Sequence, residues 1–232
     1  MLADASMVLL VVVMFSLVTL WVWQGPRRWA VAVVGTLAVW LAVTAGLARL
    51  GALSEWTARP PRLAMVALGG LALGFLLLRT AAFRTLLGSA PATWPIRLQA
   101  FRVPVELVLF AFYASGRAPV QVTFEGRSLD ILVGLTAPLV AWWVARRPAS
   151  AWLVLSWNVL GLCVLANTVA VAATSTPGPL HLDWPGAPFT EILRWPLVWV
   201  PAFLAPVAVL LHVVSLQQTA PLLRGTAART QS

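Results

Sequence analysis

The feature that most constrains the fold is a succession of apolar stretches, each close to a bilayer-crossing length and separated by short polar breaks. A helix needs about 20 apolar residues to cross a membrane. We therefore predict an all-α fold, a polytopic transmembrane helical bundle. The seven predicted spans cover residues 6–24, 29–51, 62–80, 95–115, 128–145, 150–173 and 194–216. Because the third and fifth are short and the fourth carries charges, six spans plus a re-entrant segment is the alternative.

Composition supports the same class of protein. Hydrophobic residues make up 60% of the chain and charged residues 10%, whereas soluble domains have about 25% charged residues. A net charge of +9 would suggest nucleic-acid binding in a soluble protein, but these arginines lie at the ends of predicted spans. We therefore expect the lipid bilayer as partner, and no nucleic acid.

The arginines also predict an orientation, since positive charge concentrates in cytoplasmic loops. Pairs of arginines follow the first, third, fifth and seventh spans: Arg27 and Arg28, Arg79 and Arg84, Arg146 and Arg147, Arg224 and Arg229. The opposite side holds most of the acids: Asp4, Glu55, Glu125, Asp183 and Glu191. We predict the N-terminus outside and the C-terminus inside, although Arg49, Arg59 and Arg62 dilute the bias.

Polar residues are distributed unevenly along what we expect to be a single membrane domain, residues 1–232. Residues 1–80 predict an apolar three-helix part, whose small residues Gly69, Gly70 and Gly74 suit close helix packing. Residues 94–216 predict a four-helix part that carries the polar side chains. Any site is expected in this second part.

Arg102 and Glu106 are the most informative of these polar residues. They lie four residues apart in the apolar run FRVPVELVLFAFY, on a face that also includes Gln99 and Tyr113. A charge at the bilayer centre costs about 2.5–3.5 kcal/mol on insertion scales, so such residues usually face protein or water. Their spacing permits an ion pair with each other as well as a functional site.

Helix geometry places Asn158 and His212 at depths similar to those of Arg102 and Glu106, in the inner half of the bundle. These four residues form the predicted inner polar cluster. Asn167 is nine residues from Asn158, which puts the two amides on opposite faces of one helix.

A second predicted group lies toward the outside, in the run VTFEGRSLDIL. It consists of Glu125, Arg127 and Asp130, with Ser128 as a potential helix cap. Asp130 at a helix N-terminus is favoured by the helix dipole. The simplest interpretation is a capped and salt-bridged start of the fifth span; Tyr113, Asn167 and Thr168 reach similar outer depths.

Residue types exclude several chemistries. The chain has no lysine, so no Schiff-base cofactor can attach, and its single Cys163 allows no internal disulfide. Its two histidines, His181 and His212, are too few and too far apart for a usual zinc or haem site. We therefore expect no cofactor and no metal.

Prolines predict kinks in the seventh span. Pro201 and Pro206 lie well inside it, and each removes a backbone donor one turn after an acceptor. The carbonyls of Leu197 and Ala202 are therefore expected to need other partners.

The runs FRVPVELVLFAFY, TFEGRSLDIL and WVPAFLAPVAVLLHVVSL resemble a family of uncharacterised bacterial multi-pass integral membrane proteins, over roughly the last 140 residues. The resemblance implies a bacterial inner-membrane location. It implies Arg102, Glu106, Glu125, Arg127, Asp130 and His212 as shared polar positions, and it implies no activity.

Three functions fit the sequence. The favoured one is binding or proton-coupled transport of a small molecule or lipid, in which Arg102 holds an anionic group or pairs with Glu106, and Glu106 exchanges a proton. An intramembrane enzyme acting on a lipid or isoprenoid, with Glu106, Asp130 or His212 as acid or base, is less favoured. The third is a structural or assembly protein whose charges form internal ion pairs.

Overall fold

Helices account for nearly all regular structure in the computed structural model, which describes residues 1–147 and 150–229 and contains no strand within those ranges. The α-helices are α1 (Leu2–Val22), α2 (Arg27–Arg49), α3 (Arg62–Leu78), α4 (Ala81–Ser89), α5 (Trp94–Leu98), α6 (Arg102–Ala114), α7 (Asp130–Arg146), α8 (Ala151–Ser175) and α9 (Ala205–Arg229). A short 3-10 segment, Gln99–Phe101, joins α5 to α6, and a π-helical turn, Val200–Leu204, leads into α9. The prediction of an all-α fold is confirmed.

Four helical segments are long and apolar enough to cross a membrane: α1, α2, α8 and Val200–Pro221. A fifth is present if α3 and α4, which meet at a bend of 76°, form one broken span. This indicates membrane association. The other predicted spans are also helical, but α7 has only 17 residues and the fourth is interrupted between α5 and α6. Seven crossings therefore stay a prediction.

Glycines allow α3 to pack closely on the last helix, as predicted. A Cβ atom added at Gly70 would lie 2.9 Å from Pro206 Cγ, and one at Gly74 would lie 3.1 Å from Leu210 Cδ2. Any larger side chain would separate the helices. The close contact makes α9, which also packs against α5 and α8, the centre of the bundle.

The proline kinks leave carbonyls that find partners within the bundle. Pro206 cannot donate to Ala202, and the indole Nε1–H of Trp40 donates to that carbonyl instead, at 2.9 Å. The Leu197 carbonyl accepts from the Val200 N–H at 2.9 Å, in a tightened turn. The two predicted acceptors are therefore satisfied by protein.

The connection between α6 and α7, residues 115–129, folds back into the bundle. Its Gln121, Thr123 and Ser128 side chains are buried. As a result α7 begins inside the protein rather than at its outer surface, and Asp130 is buried as well. Asp130 therefore begins α7, as the predicted start of the fifth span requires, but it lies inside the protein, whereas Glu125 and Arg127 are exposed.

Ion pairs tie together the end of the bundle that carries the N-terminus. The Arg117 guanidinium donates to Asp4 at 2.7 Å and to Glu191 at 2.9 Å, while Arg194 lies 3.1 Å from Glu191. These contacts connect α1, the α6–α7 connection and the α8–α9 connection. At the opposite end, the Trp29 indole donates to Thr80 at 3.1 Å, which joins the start of α2 to the end of α3.

Candidate functional site

A buried polar layer crosses the middle of the four-helix part. It contains Arg102 from α6, Asp130 from α7, Asn158 from α8 and His212 from α9, all buried. Each comes from a different helix, so the layer depends on the packing of all four. The layer is extended by Ser215, one turn along α9. These five residues are called the Arg102 network below.

Arg102 and Asp130 form a two-point ion pair. The guanidinium Nε donates to Asp130 Oδ2 at 2.8 Å, and Nη2 donates to Asp130 Oδ1. Parallel bonds of this kind between a guanidinium and a carboxylate are the strongest type of side-chain hydrogen bond. The positive charge of Arg102, which is only 1% exposed, is therefore balanced by Asp130. The predicted pairing of Arg102 with Glu106 is not formed.

His212 continues the network toward α8. Arg102 Nη1 donates to His212 Nε2 at 3.2 Å, and His212 Nδ1 lies 2.8 Å from Asn158 Oδ1. Asn158 Nδ2 donates to Ser215 Oγ and to the Val154 carbonyl, so its oxygen is the acceptor. His212 is therefore neutral, with its proton on Nδ1. Because both ring nitrogens are occupied, this arrangement does not offer His212 as a free base.

Gly161 makes room for the imidazole. A Cβ atom added at Gly161 would lie 2.7 Å from His212 Nε2. The position lies on the same face of α8 as Asn158, three residues away. A glycine there lets α9 bring His212 to the Asn158 amide.

Glu106 differs from the other buried ionisable residues because it is only half satisfied. Its side chain is 0% exposed, and Ser128 Oγ donates to Oε1 at 2.5 Å. The Phe124 N–H approaches the carboxyl group, yet Oε2 has no hydrogen-bond partner among residues 1–147 and 150–229. The Ser128 hydroxyl thus bonds to Glu106 and does not form the predicted cap of α7. One carboxylate oxygen is therefore left for something else.

A cavity of about 560 Å³ has Glu106 among its lining residues. We call it the α3–α8 cavity, because residues of those two helices line it, together with residues of α6 and α9. Its lining is mainly aliphatic, and the polar groups on its wall include Glu106, Arg102, Asp130 and Thr168. The last two are linked, since Thr168 Oγ1 donates to Asp130 Oδ1 at 3.2 Å. The cavity is therefore apolar except where Arg102, Glu106, Asp130 and Thr168 line it.

The cavity reaches the protein surface between α3 and α8. Leu68 on α3 and Val169 on α8 line it and are 62% and 48% exposed. Trp56, Arg62 and Leu180, from the end of the bundle near the N-terminus, line it as well. Access is therefore along the side of the bundle and from that end.

The other predicted site residues lie away from Glu106. Tyr113 is half-buried, with its ring 5.8 Å from that of Phe110. Glu125 and Arg127 are exposed, and Arg127 lies over the Trp184 ring at 5.0 Å. Asn167 is exposed and donates to the Arg127 carbonyl at 2.8 Å. As predicted, Asn158 and Asn167 face opposite ways, and only Asn158 belongs to the buried layer.

Sequence reasoning missed the residues that complete the site. Ser128 was predicted only as a cap, and neither Ser215 nor Gly161 was singled out. In the sequence, Gly161 could have been noticed only as a small residue on the same helix face as Asn158. Cys163, on α8, is exposed.

Metal binding finds no support in the described part of the chain. No group of three or more histidine, cysteine or acidic residues there is arranged to hold an ion. His181 lies in the α8–α9 connection, where its Nδ1 is 2.8 Å from the Thr176 carbonyl oxygen.

The chain belongs to the family described as a domain of unknown function, DUF8737, whose model matches residues 60–219. The match contains the Arg102 network, Glu106 and every α-helical residue that lines the α3–α8 cavity. It begins before α3, so the family segment is longer than the predicted last 140 residues. Comparison with curated proteins and with solved structures gave no match.

Proposed function

We propose that this chain is a multi-pass membrane protein that binds a small, mainly apolar molecule in the α3–α8 cavity, with Glu106 as its polar anchor. The observation that carries the proposal is that Glu106, a fully buried residue whose Oε2 atom has no hydrogen-bond partner among the described residues, is one of the residues that line the cavity. A buried acceptor without a partner costs about 1–3 kcal/mol. A ligand that donates a hydrogen bond to Oε2 would recover that cost.

The volume and lining of the cavity support a small amphiphile as the ligand. Small-molecule sites typically enclose about 300–1,000 Å³, are largely apolar and have a few placed polar groups. The cavity, at about 560 Å³, lies within that range. Its opening between Leu68 and Val169 faces the surface that lipid would cover, so a ligand enters from the bilayer or from the adjoining end.

Charge distribution supports an orientation for the seven proposed crossings of this single domain. Among described residues, one end of the bundle carries only arginines: Arg27, Arg28, Arg79, Arg84, Arg97, Arg146 and Arg147. The other end carries five acidic residues together with six arginines: Asp4, Glu55, Glu125, Asp183 and Glu191, and Arg49, Arg59, Arg62, Arg117, Arg127 and Arg194. We assign the all-arginine end to the cytoplasm of a bacterial inner membrane. The side chains of Arg224 and Arg229, also predicted there, lie outside the described part of the chain.

Binding from one side is favoured over transport. The Arg102 network lies between the cavity and the all-arginine end, and its ion pair and hydrogen bonds link α6, α7, α8 and α9. Passage of a ligand would require these bonds to break. The same network supports a structural role for these charges, while Glu106 is the residue we assign to binding.

A matched pair of substitutions on α8 tests the proposal. Val169 lines the cavity and is 48% exposed, whereas Val159 is 47% exposed and lies outside the lining. Dodecanol and dodecylamine serve as probes, and native mass spectrometry of the protein in nanodiscs measures occupancy. We expect Val169→Trp to reduce occupancy by both probes at least fivefold and Val159→Trp to leave it unchanged. Equal occupancy in both variants would overturn the proposal.

A further inference from the structure

We infer that the ligand of the α3–α8 cavity carries a protonated amine, which binds Glu106 in exchange for a proton. The inference rests on the proposed function and specifies the chemical class of the ligand. It is carried by the balance of charges around the unpartnered Oε2 atom.

The positive charge nearest to Glu106, that of Arg102, is already paired with other residues. Arg102 lies one helical turn away on α6, but its Nε and Nη2 donate to Asp130 and its Nη1 donates to His212. Asp130 balances Arg102, and the neutral His212 adds no charge. Of the two buried carboxylates, Asp130 and Glu106, Glu106 is thus the one without a counterion among the described residues.

Within the described part of the chain, the remaining neighbours of Glu106 supply no cation at the polar end of the cavity. Ser128 precedes α7 and Thr168 is on α8, and both are neutral hydroxyl groups. On α3, Arg62 lines the cavity, but it begins that helix at the end of the bundle near the N-terminus, and its Nη1 contacts the Met65 sulfur at 3.8 Å. An anionic head group placed at Glu106 would therefore meet two carboxylates and one neutralised guanidinium.

A carboxylate that lacks a counterion in an apolar environment takes up a cation, either a proton or a charged ligand group. The two compete for the same oxygen. When a protonated amine binds, it donates an N–H hydrogen bond to Oε2, and the carboxyl proton leaves to water through the cavity. The amine keeps its proton, so one proton is released for each ligand bound. The apolar lining accommodates the rest of the molecule.

Three probes with the same chain separate the head-group classes: dodecylamine, dodecanol and dodecanoate. Binding to the full chain in nanodiscs is measured by calorimetry in two buffers of different ionisation enthalpy, with empty nanodiscs subtracted. We expect dodecylamine to bind at least tenfold more tightly than dodecanol, with release of about one proton. Glu106→Gln should remove both the preference and the proton release. Glu125→Gln, which changes an exposed carboxylate, should alter neither.

The outcomes distinguish this inference from the proposed function. Equal binding of amine and alcohol, still blocked by Val169→Trp, would overturn the amine assignment and leave the cavity as a binding site. Preferential binding of dodecanoate that Arg62→Gln abolishes would overturn it in favour of an anion at the mouth. If Glu106→Gln unfolds the protein, Glu106→Asp, which keeps the charge, provides the second test: amine preference must persist, and its loss in a folded Glu106→Asp variant counts against the inference.

Discussion

Among single side chains, we expect removal of the Asp130 carboxylate to reduce the free energy of unfolding most. Asp130→Asn leaves the buried Arg102 guanidinium without its counterion, and breaking a buried pair from one side costs about 3–5 kcal/mol. We expect a loss of that size in the free energy of unfolding, measured by titrating SDS into mixed micelles.

Two further variants control that prediction. Asp183 is fully exposed, so Asp183→Asn should change stability by less than about 0.5 kcal/mol. Arg102→Met/Asp130→Leu replaces both charges with apolar groups and should recover most of the loss, because no charge is left unpaired. Equal stability of Asp130→Asn and the parent protein would show that Asp130 does not carry the pair.

Gly161 gives a second prediction at the scale of single residues. Gly161→Ala places a methyl group against the His212 ring, and such overpacking typically costs about 1–3 kcal/mol. Gly35 on α2 has no atom within 4 Å of an added Cβ. Gly35→Ala should instead stabilise the helix by about 0.5–1 kcal/mol. The same SDS titration reports both, and a loss of stability of equal size in the two variants would contradict the role of Gly161.

Arg102, Glu106, Asn158 and His212 could be picked out from the sequence because polar groups are rare in apolar runs. The pairing of Arg102 with Asp130 and of Glu106 with Ser128 could not be predicted. Asp130 was predicted to lie toward the outside with Glu125 and Arg127, because hydropathy does not give the depth of the α6–α7 connection, which depends on tertiary packing. The same packing places Ser128 where its hydroxyl donates to Glu106, and it places Asp130 where it pairs with Arg102.

Among the helices, the kink in the last one provides the sharpest prediction. Trp40→Phe removes the donor that satisfies the Ala202 carbonyl, so we expect a stability loss of about 1–2 kcal/mol. Pro206→Ala restores the backbone N–H that can reach the same carbonyl. In that background Trp40→Phe should cost less than half as much. The four SDS titrations form a double-mutant cycle, and identical costs in both backgrounds would rule out this explanation of the kink.

Helix positions were largely predictable, since each apolar run contains a helix in the structure. The interruption between α5 and α6 and the 76° bend between α3 and α4 were not. These breaks depend on how neighbouring helices pack, and a 20-residue hydropathy window averages over them.

At the scale of the whole molecule, the orientation predicts which connections face outward. In a Cys163→Ser background, we expect Ser54→Cys and Asp183→Cys to react with a membrane-impermeant maleimide in intact spheroplasts. Gln24→Cys, in the connection between α1 and α2, should react only after lysis. The positive-inside distribution of arginines is the physical reason. Labelling of Gln24→Cys in intact spheroplasts, together with protection of Ser54→Cys, would show that the orientation is the reverse of the one predicted.

Glu106, which lines the α3–α8 cavity, is proposed to exchange the proton of its carboxyl group for a cationic ligand. Infrared difference spectroscopy of the protein in nanodiscs, before and after addition of dodecylamine, observes that group directly. We predict loss of the C=O stretch of a protonated carboxyl group and gain of carboxylate bands in the parent protein. Glu106→Gln should show neither change. A parent spectrum without these bands, or the same bands in Glu106→Gln, would contradict the account.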